Sequence, residues 1–345
     1  MKISRRPWGI IDGNPVWLYD IEGPGLTASV SNYGGILQSL RVQTADNTLD
    51  VVLGYDDLAD YLASDTFFGA MIGPIADRLD RGRCELGGKV VQMPLNAGPD
   101  SMHCGDRGFH RMLWNARELP DGVCLSREIP PEESGFPGAL WVELRYRVPE
   151  ANTLRLEYAA RSDREAAVSF TNHTYFTLNG GTGDCRSHVL TLPATRYAET
   201  VRDSEPICTG ETRPVQGTPL DLRKGARIGD AADRADFREI AVAGGVDHYF
   251  PIDGEGFREM ARLFNPDNGL ELVCRSDAPG LLVYTANGLA AERGKGGRVY
   301  GRNWAVCLET ERFPNAVNHP SMRGAVLLEP GEVYRAATTF SFRVK

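Results

Sequence analysis

Two side chains in this 345-residue chain are suited to move a proton near neutral pH: an imidazole at position 173 and a carboxyl at position 309. His173 lies in the run Ala-Val-Ser-Phe-Thr-Asn-His-Thr-Tyr-Phe-Thr-Leu, residues 167–178. Read as one strand, alternation puts Val168, Phe170, Phe176 and Leu178 on one face. Ser169, Thr171, His173, Tyr175 and Thr177 take the other. The first face suits a core. The second is a shelf of hydroxyls around an imidazole, the side chain that exchanges protons near pH 7. Such a shelf suits a small polyhydroxylated ligand, while a surface strand with an incidental histidine is the plainer alternative.

Glu309 belongs to Ala-Val-Cys-Leu-Glu-Thr-Glu-Arg-Phe-Pro-Asn, residues 305–315. Val306 and Leu308 mark one face, and Ala305, Cys307 and Glu309 share the other. A glutamate entering an apolar strand is costly unless partnered, and desolvation raises its pKa towards that of a useful base. A strand end emerging into solvent is the alternative, and it is the stronger reading for Glu311.

Three further polar groups stand where a purely structural strand needs none. Arg78 follows the apolar stretch of Gly69-Ala-Met-Ile-Gly-Pro-Ile-Ala-Asp-Arg, and a surface arginine is its alternative. His103 ends a turn-rich loop, Asn96-Ala-Gly-Pro-Asp-Ser-Met-His, and binding residues concentrate on loops. The adjacent Cys104 is a weak nucleophile candidate, because neighbours in extended chain point opposite ways. Asp247 sits between apolar residues in Gly245-Val-Asp-His-Tyr-Phe; if buried it needs partners, which sugar hydroxyls supply, and otherwise it is a turn aspartate.

The elements that must position these groups read as strands. Leu140, Val142, Leu144, Tyr146 and Val148 alternate with polar or bulky residues, as do Leu154, Leu156, Tyr158 and Ala160. Ala336, Thr338, Phe340, Phe342 and Val344 repeat the pattern near the carboxyl end. One packed and one wetter face is the signature of antiparallel sheet. Turn signals fall between the runs at Asp12-Gly13-Asn14, Gly87-Gly88, Pro149–Asn152 and Pro330-Gly331-Glu332, the Gly-Gly pair predicting a tight hairpin. Helical patterning is confined to a short piece at 57–62, with Leu58, Tyr61 and Leu62 on one side. The expected fold is all-β, one large antiparallel β-sandwich domain spanning 1–345.

Composition narrows the partners. A formal charge of -8 without basic blocks makes nucleic acid an unexpected partner. No run of about eighteen apolar residues predicts a membrane span. Seven scattered cysteines, never spaced Cys-x-x-Cys, argue against a disulfide framework and a zinc motif and fit a reducing cytoplasm. The amino terminus lacks the apolar run of a secretion signal. The histidines are dispersed without His-x-x-x-His spacing, so a metal is not expected. Monomer and homodimer both fit.

Taken together, and in order, the segments resemble the aldose 1-epimerase family. Asp77-Arg78 resembles its Asn-Arg, Ser101-Met-His-Cys-Gly its Ser-Leu-His-Gly-Gly, and Asn172-His-Thr-Tyr-Phe-Thr-Leu its Asn-His-Ser-Tyr-Phe-Asn-Leu. Asp247-His248 matches its Asp-His, and Leu308-Glu-Thr-Glu with Pro314-Asn315 resembles its Leu-Glu-Thr-Gln with Pro-Asp. The resemblance implies a large β-sandwich with a sugar cleft on its concave sheet. It also implies cofactor-free interconversion of α and β anomers. Glu309 would take the proton from the C1 hydroxyl and His173 would protonate the ring oxygen. Arg78, His103 and Asp247 would orient hydroxyls. Pro74, Asp77, Cys104, Thr177 and Leu282 depart from the family pattern. Leu282 stands where many relatives carry a sugar-contacting glutamine, which puts galactose as preferred sugar in doubt. A non-catalytic sugar-binding protein, or a lyase or hydrolase on a similar sandwich, are the competing expectations.

Overall fold

Period-two alternation becomes sheet along most of the chain. The computed structural model describes residues 1–44, 47–202 and 206–345. The first five strands, from Lys2–Ile11 to Thr48–Asp50, pair consecutively and antiparallel. A nine-stranded antiparallel sheet runs Asn115–Leu119, Gly122–Ile129, Leu140–Glu150, Thr153–Ser162, Tyr334–Val344, Leu270–Ser276, Arg258–Phe264, Val189–Thr191, Ala226–Arg227. A four-stranded sheet runs Tyr175–Phe176, Val306–Glu311, Gly280–Tyr284, Asp247–Pro251. The longest described helices have six residues, so the expected all-β class holds.

The nine-stranded and four-stranded sheets pack face to face. Leu140, Val142, Leu144, Leu154 and Leu156 point inwards from the large sheet. Phe176, Val306, Leu308, Leu281, Val283 and Phe250 belong to the same core from the small one. Phe176 and Phe340 close the layer with ring centroids 4.7 Å apart. Fully burying each such aliphatic or aromatic side chain contributes about 1.5–3 kcal/mol. Because strand side chains alternate, committing this face to the core leaves the other face of the small sheet free to carry chemistry.

The predicted turns form. Gly87 and Gly88 have φ of +55° and +73° and join Leu86 to its partner Lys89. Both central residues lie in the left-handed region that a tight hairpin requires. The predicted helix occupies Leu58–Ala63, burying Leu58 and Tyr61; Leu62 is exposed.

The run 167–178 is not one strand. It breaks into Ala166–Ala167, Thr171–Asn172 and Tyr175–Phe176, each pairing with a different partner. Every residue of the run is buried, so both faces, not one, are packed. The bends re-aim the hydroxyl shelf. Ser169 Oγ accepts the Arg312 N–H (3.2 Å), and Thr177 donates to Asn179 Oδ1 (2.6 Å). Of the five shelf residues, only His173 and Tyr175 line the cleft.

Candidate active site

Strand register assembles the floor of the site. On the outer face of the small sheet, Tyr175, Cys307, Tyr284 and Asp247 form one lateral row, each paired with the next. Glu309, Leu282 and Tyr249 form the row beside it. The third row holds Glu311 and Gly280. A Cβ at Gly280 would lie 2.1 Å from Tyr249 Oη, so only glycine lets Tyr249 lie across that position.

The opposite wall comes from the segment around residue 77. Asp77 and His103 hold each other through two backbone-led bonds. The Asp77 N–H donates to His103 Nδ1 (3.0 Å), and the His103 N–H donates to the Asp77 carbonyl (3.1 Å). Asp77, His103 and Cys104 have φ of 57°, 52° and 64°. Such conformations are uncommon outside glycine and cluster at functional sites. Phe67, also left-handed at φ 59°, stacks on one face of the His173 ring (5.8 Å, 22°), and Tyr175 stacks on the other (4.9 Å, 17°). The imidazole is clamped between two aromatic planes.

These walls enclose a cleft of about 250 Å³, at the small end for a ligand site. All five expected residues, Arg78, His103, His173, Asp247 and Glu309, line it together. His173 Nε2 lies 3.6 Å from Glu309 Oε1. Arg78 is 3.4 Å from Asp77 and 3.9 Å from Asp247. Its side chain is 16% exposed, which removes the surface-arginine reading. Glu309 is 1% exposed and its Oε1 has no hydrogen-bond partner among the described residues. The cleft also gathers residues that no sequence signal marked, including Phe67 and Tyr284. Tyr284 was legible only as the alternate-position neighbour of Leu282.

Burial sets the protonation. It pushes His173 down to about 3 and holds His103 well below its ordinary value, with the neighbouring imidazoles and Arg78 adding to the latter. Glu309 is raised well above the carboxylate range by burial, then by Asp77 and Asp247. Asp247 is raised to about 6 by burial, with Arg78 pulling the other way. The imidazoles are therefore neutral and the Glu309 carboxyl favours its proton.

Two expectations are corrected here. Glu311 does not emerge into solvent: it is 2% exposed, and neither carboxyl oxygen has a hydrogen-bond partner among the described residues. The strand simply continues under cover. Thr177, one of the family departures, lies outside the cleft lining. Cys104 is no thiolate. Burial pushes its thiol up to about 12, and its Sγ donates to the Ile75 carbonyl.

His103, His173 and Glu309 bring one potential metal-ligand atom each to within 4.8 Å of one another. The His103 tautomer works against that use. With Nδ1 accepting the Asp77 N–H, the neutral ring carries its hydrogen on Nε2 and presents a donor to the cleft. A hydroxyl oxygen suits that donor better than a cation does.

The sequence matches the family described as Aldose 1-epimerase over residues 18–341. The chain is 36% identical to galactose mutarotase of Sus scrofa over 350 residues, covering 100% of this chain and 99% of that protein. It is 30% identical to aldose 1-epimerase of Escherichia coli (strain K12) over 346 residues, covering 99% of each. Among solved structures, an aldose epimerase homologue from C. elegans superposes with a TM-score of 0.87 at 26% identity, covering 95% of this chain and 98% of that one. Galactose 1-epimerase from Lactobacillus acidophilus gives 0.85 at 26% identity, covering 99% of both. Sequence, fold and a cleft gathering the five expected side chains agree, and the chain belongs to the aldose 1-epimerase family.

Proposed function

We propose that this protein is an aldose 1-epimerase that interconverts the α and β anomers of a reducing sugar by opening and reclosing the ring. The observation that carries the reading is the 3.6 Å separation of His173 Nε2 and Glu309 Oε1 inside one cleft. The hydroxyl oxygen and the ring oxygen of a cyclic sugar are bonded to the same carbon. A base for one and an acid for the other must therefore be close neighbours.

Ring opening needs a proton removed at the C1 hydroxyl and one supplied at the ring oxygen, with no external nucleophile. Glu309 is the base and His173 the acid. The pair needs one proton between its members, and burial favours its resting on Glu309. Sugar hydroxyls and Arg78 supply the polarity that stabilises the ionised arrangement on binding. After rotation about C1–C2, closure returns both protons and fixes the other anomer. Each transfer contributes on the order of 10²–10⁴ in rate. Arg78, His103 and Asp247 orient hydroxyls, and His103 Nε2–H supports charge at oxygen. Binding alone would require no matched acid and base, which disfavours a non-catalytic reading.

The chain acts as one unit over residues 1–345. Its seven cysteines are free and buried, which suits a reducing compartment such as the cytoplasm. Among the described residues no helix is long and apolar enough to cross a membrane. The test is the decay of optical rotation in fresh α-aldose solutions. Acceleration that disappears in Glu309→Gln is expected; a flat response across hexoses, pentoses and deoxysugars rejects the reading.

A further inference from the structure

Acidic groups outnumber basic ones in the lining of the cleft. Among the described residues that line it, Asp65, Asp77, Asp247 and Glu309 are acidic, Arg78 is the one guanidinium, and both imidazoles are held neutral by burial. Asp65, at the exposed rim, is paired with Arg111 at 2.5 Å, which leaves Asp77, Asp247 and Glu309 to share Arg78. Glu311, two residues on along the same face of the Val306–Glu311 strand, adds a further, buried carboxyl. Burial raises Asp77, Asp247, Glu309 and Glu311, and their mutual repulsion adds to the rise at Glu309 and Glu311. Arg78 is already committed to Asp77 and Asp247, at 3.4 and 3.9 Å. The carboxyl at the bottom of the cleft, Glu309, retains an oxygen with no hydrogen-bond partner among the described residues.

A buried carboxylate is stabilised by a cation or by several donors. A neutral sugar brings hydroxyl donors alone. An ammonium group brings donors and charge together, into a site where low polarity strengthens the attraction. An anionic sugar brings charge of the wrong sign. Leu282 sharpens the contrast. It pairs directly with Glu309 across the sheet and lines the cleft, so the position next to the base offers a neutral ligand no hydrogen bond.

We propose that the cleft selects sugars by charge, favouring protonated amino sugars over their neutral parents and rejecting uronic acids and sugar phosphates. This rests on the anomer-interconversion reading above and names the substrate class for the same site. Asp77 and Asp247 are the residues that set the preference, because both face the cleft while Glu309 is engaged with the C1 hydroxyl.

The test compares anomer-exchange rates by NMR for hexoses carrying an amine at C2, C3 or C6. Each is measured beside its hydroxyl parent and its N-acetyl form, at about pH 6.5, where the amines are protonated. The best amino sugar is expected to exceed its parent at least about tenfold in kcat/KM, with the N-acetyl form losing that gain. Asp77→Asn is expected to lower the amino-to-parent ratio at least about fivefold; a ratio is insensitive to any general loss of active protein. Hexuronic acids and hexose phosphates are expected to fall at least about a hundredfold below the neutral parent. Calorimetric affinities of the Glu309→Gln protein for the same pairs should follow the same order. The proposal is overturned if no amino sugar exceeds its parent, or if Asp77→Asn leaves the ratio unchanged. Failure of every sugar, neutral ones included, would instead remove the catalytic reading beneath it.

Discussion

Leu282 and Glu309 are directly opposed residues of neighbouring strands, so the candidate base has an apolar side chain for its lateral partner on the cleft face. Replacing Leu282 with glutamine puts a donor and an acceptor at that point. For neutral hexoses we expect kcat/KM to rise about 2- to 13-fold, the factor supplied by one added hydrogen bond of about 0.5–1.5 kcal/mol. Steady-state polarimetry with a neutral hexose and a deoxy analogue is the check. An equal rise for both would mean that no hydroxyl is being read.

Glu309→Gln keeps the shape of the side chain and removes its ability to accept a proton. Catalysed anomer exchange should fall by about 10³ or more, while calorimetric sugar affinity stays within about tenfold. Loss of affinity in proportion to rate would assign Glu309 to binding.

Phe67 and Tyr175 clamp the His173 imidazole from both sides. Phe67→Ala frees one face of the ring, and a small misplacement of a reacting group is costly. The expected outcome is a ten- to hundredfold fall in kcat, of the order that such misplacement produces, with little change in melting temperature. An unchanged kcat would make Phe67 a lid on the cleft and nothing more.

Asp247 gives a signed pH dependence. Its folded-state pKa is raised from 3.8 to about 6, so its favourable contribution is complete below about pH 3.8 and is lost as pH rises through about 6. Asp247→Asn does not suffer this loss. The variant should be more stable than wild type at pH 8 by about 3 kcal/mol, and the advantage should vanish near pH 3.5. Urea denaturation at both pH values decides it. Lower stability of the variant at pH 8 would mean that the Arg78 contact outweighs burial.

Tyr146 anchors the segment that carries His173. Its hydroxyl donates to the Gly35 carbonyl and accepts from Asn172 Nδ2. Tyr146→Phe strands both partners in the core and should cost about 1–3 kcal/mol in denaturant unfolding. A neutral result would show that the two groups find each other or water.

The sequence by itself determined the fold class, because alternation and turn residues are local properties. Strands near Leu140–Val148, Leu154–Ala160 and Ala336–Val344 formed where the period placed them. It also supplied the five side chains of the cleft, since a histidine or glutamate among apolar neighbours is conspicuous in one dimension. What alternation could not supply was depth and direction. It made residues 167–178 one half-exposed strand and sent Glu311 towards water, whereas two breaks in the strand and a covering layer bury both. The 3.6 Å contact of His173 with Glu309, 136 residues apart in number, arises from the pairing of Tyr175 with Cys307. So does the aromatic clamp, to which Phe67 comes from a left-handed turn that no side-chain pattern announces. Hydrophobic period is written residue by residue, but register, bends and electrostatic balance depend on which strands become neighbours, and only the packed chain decides that.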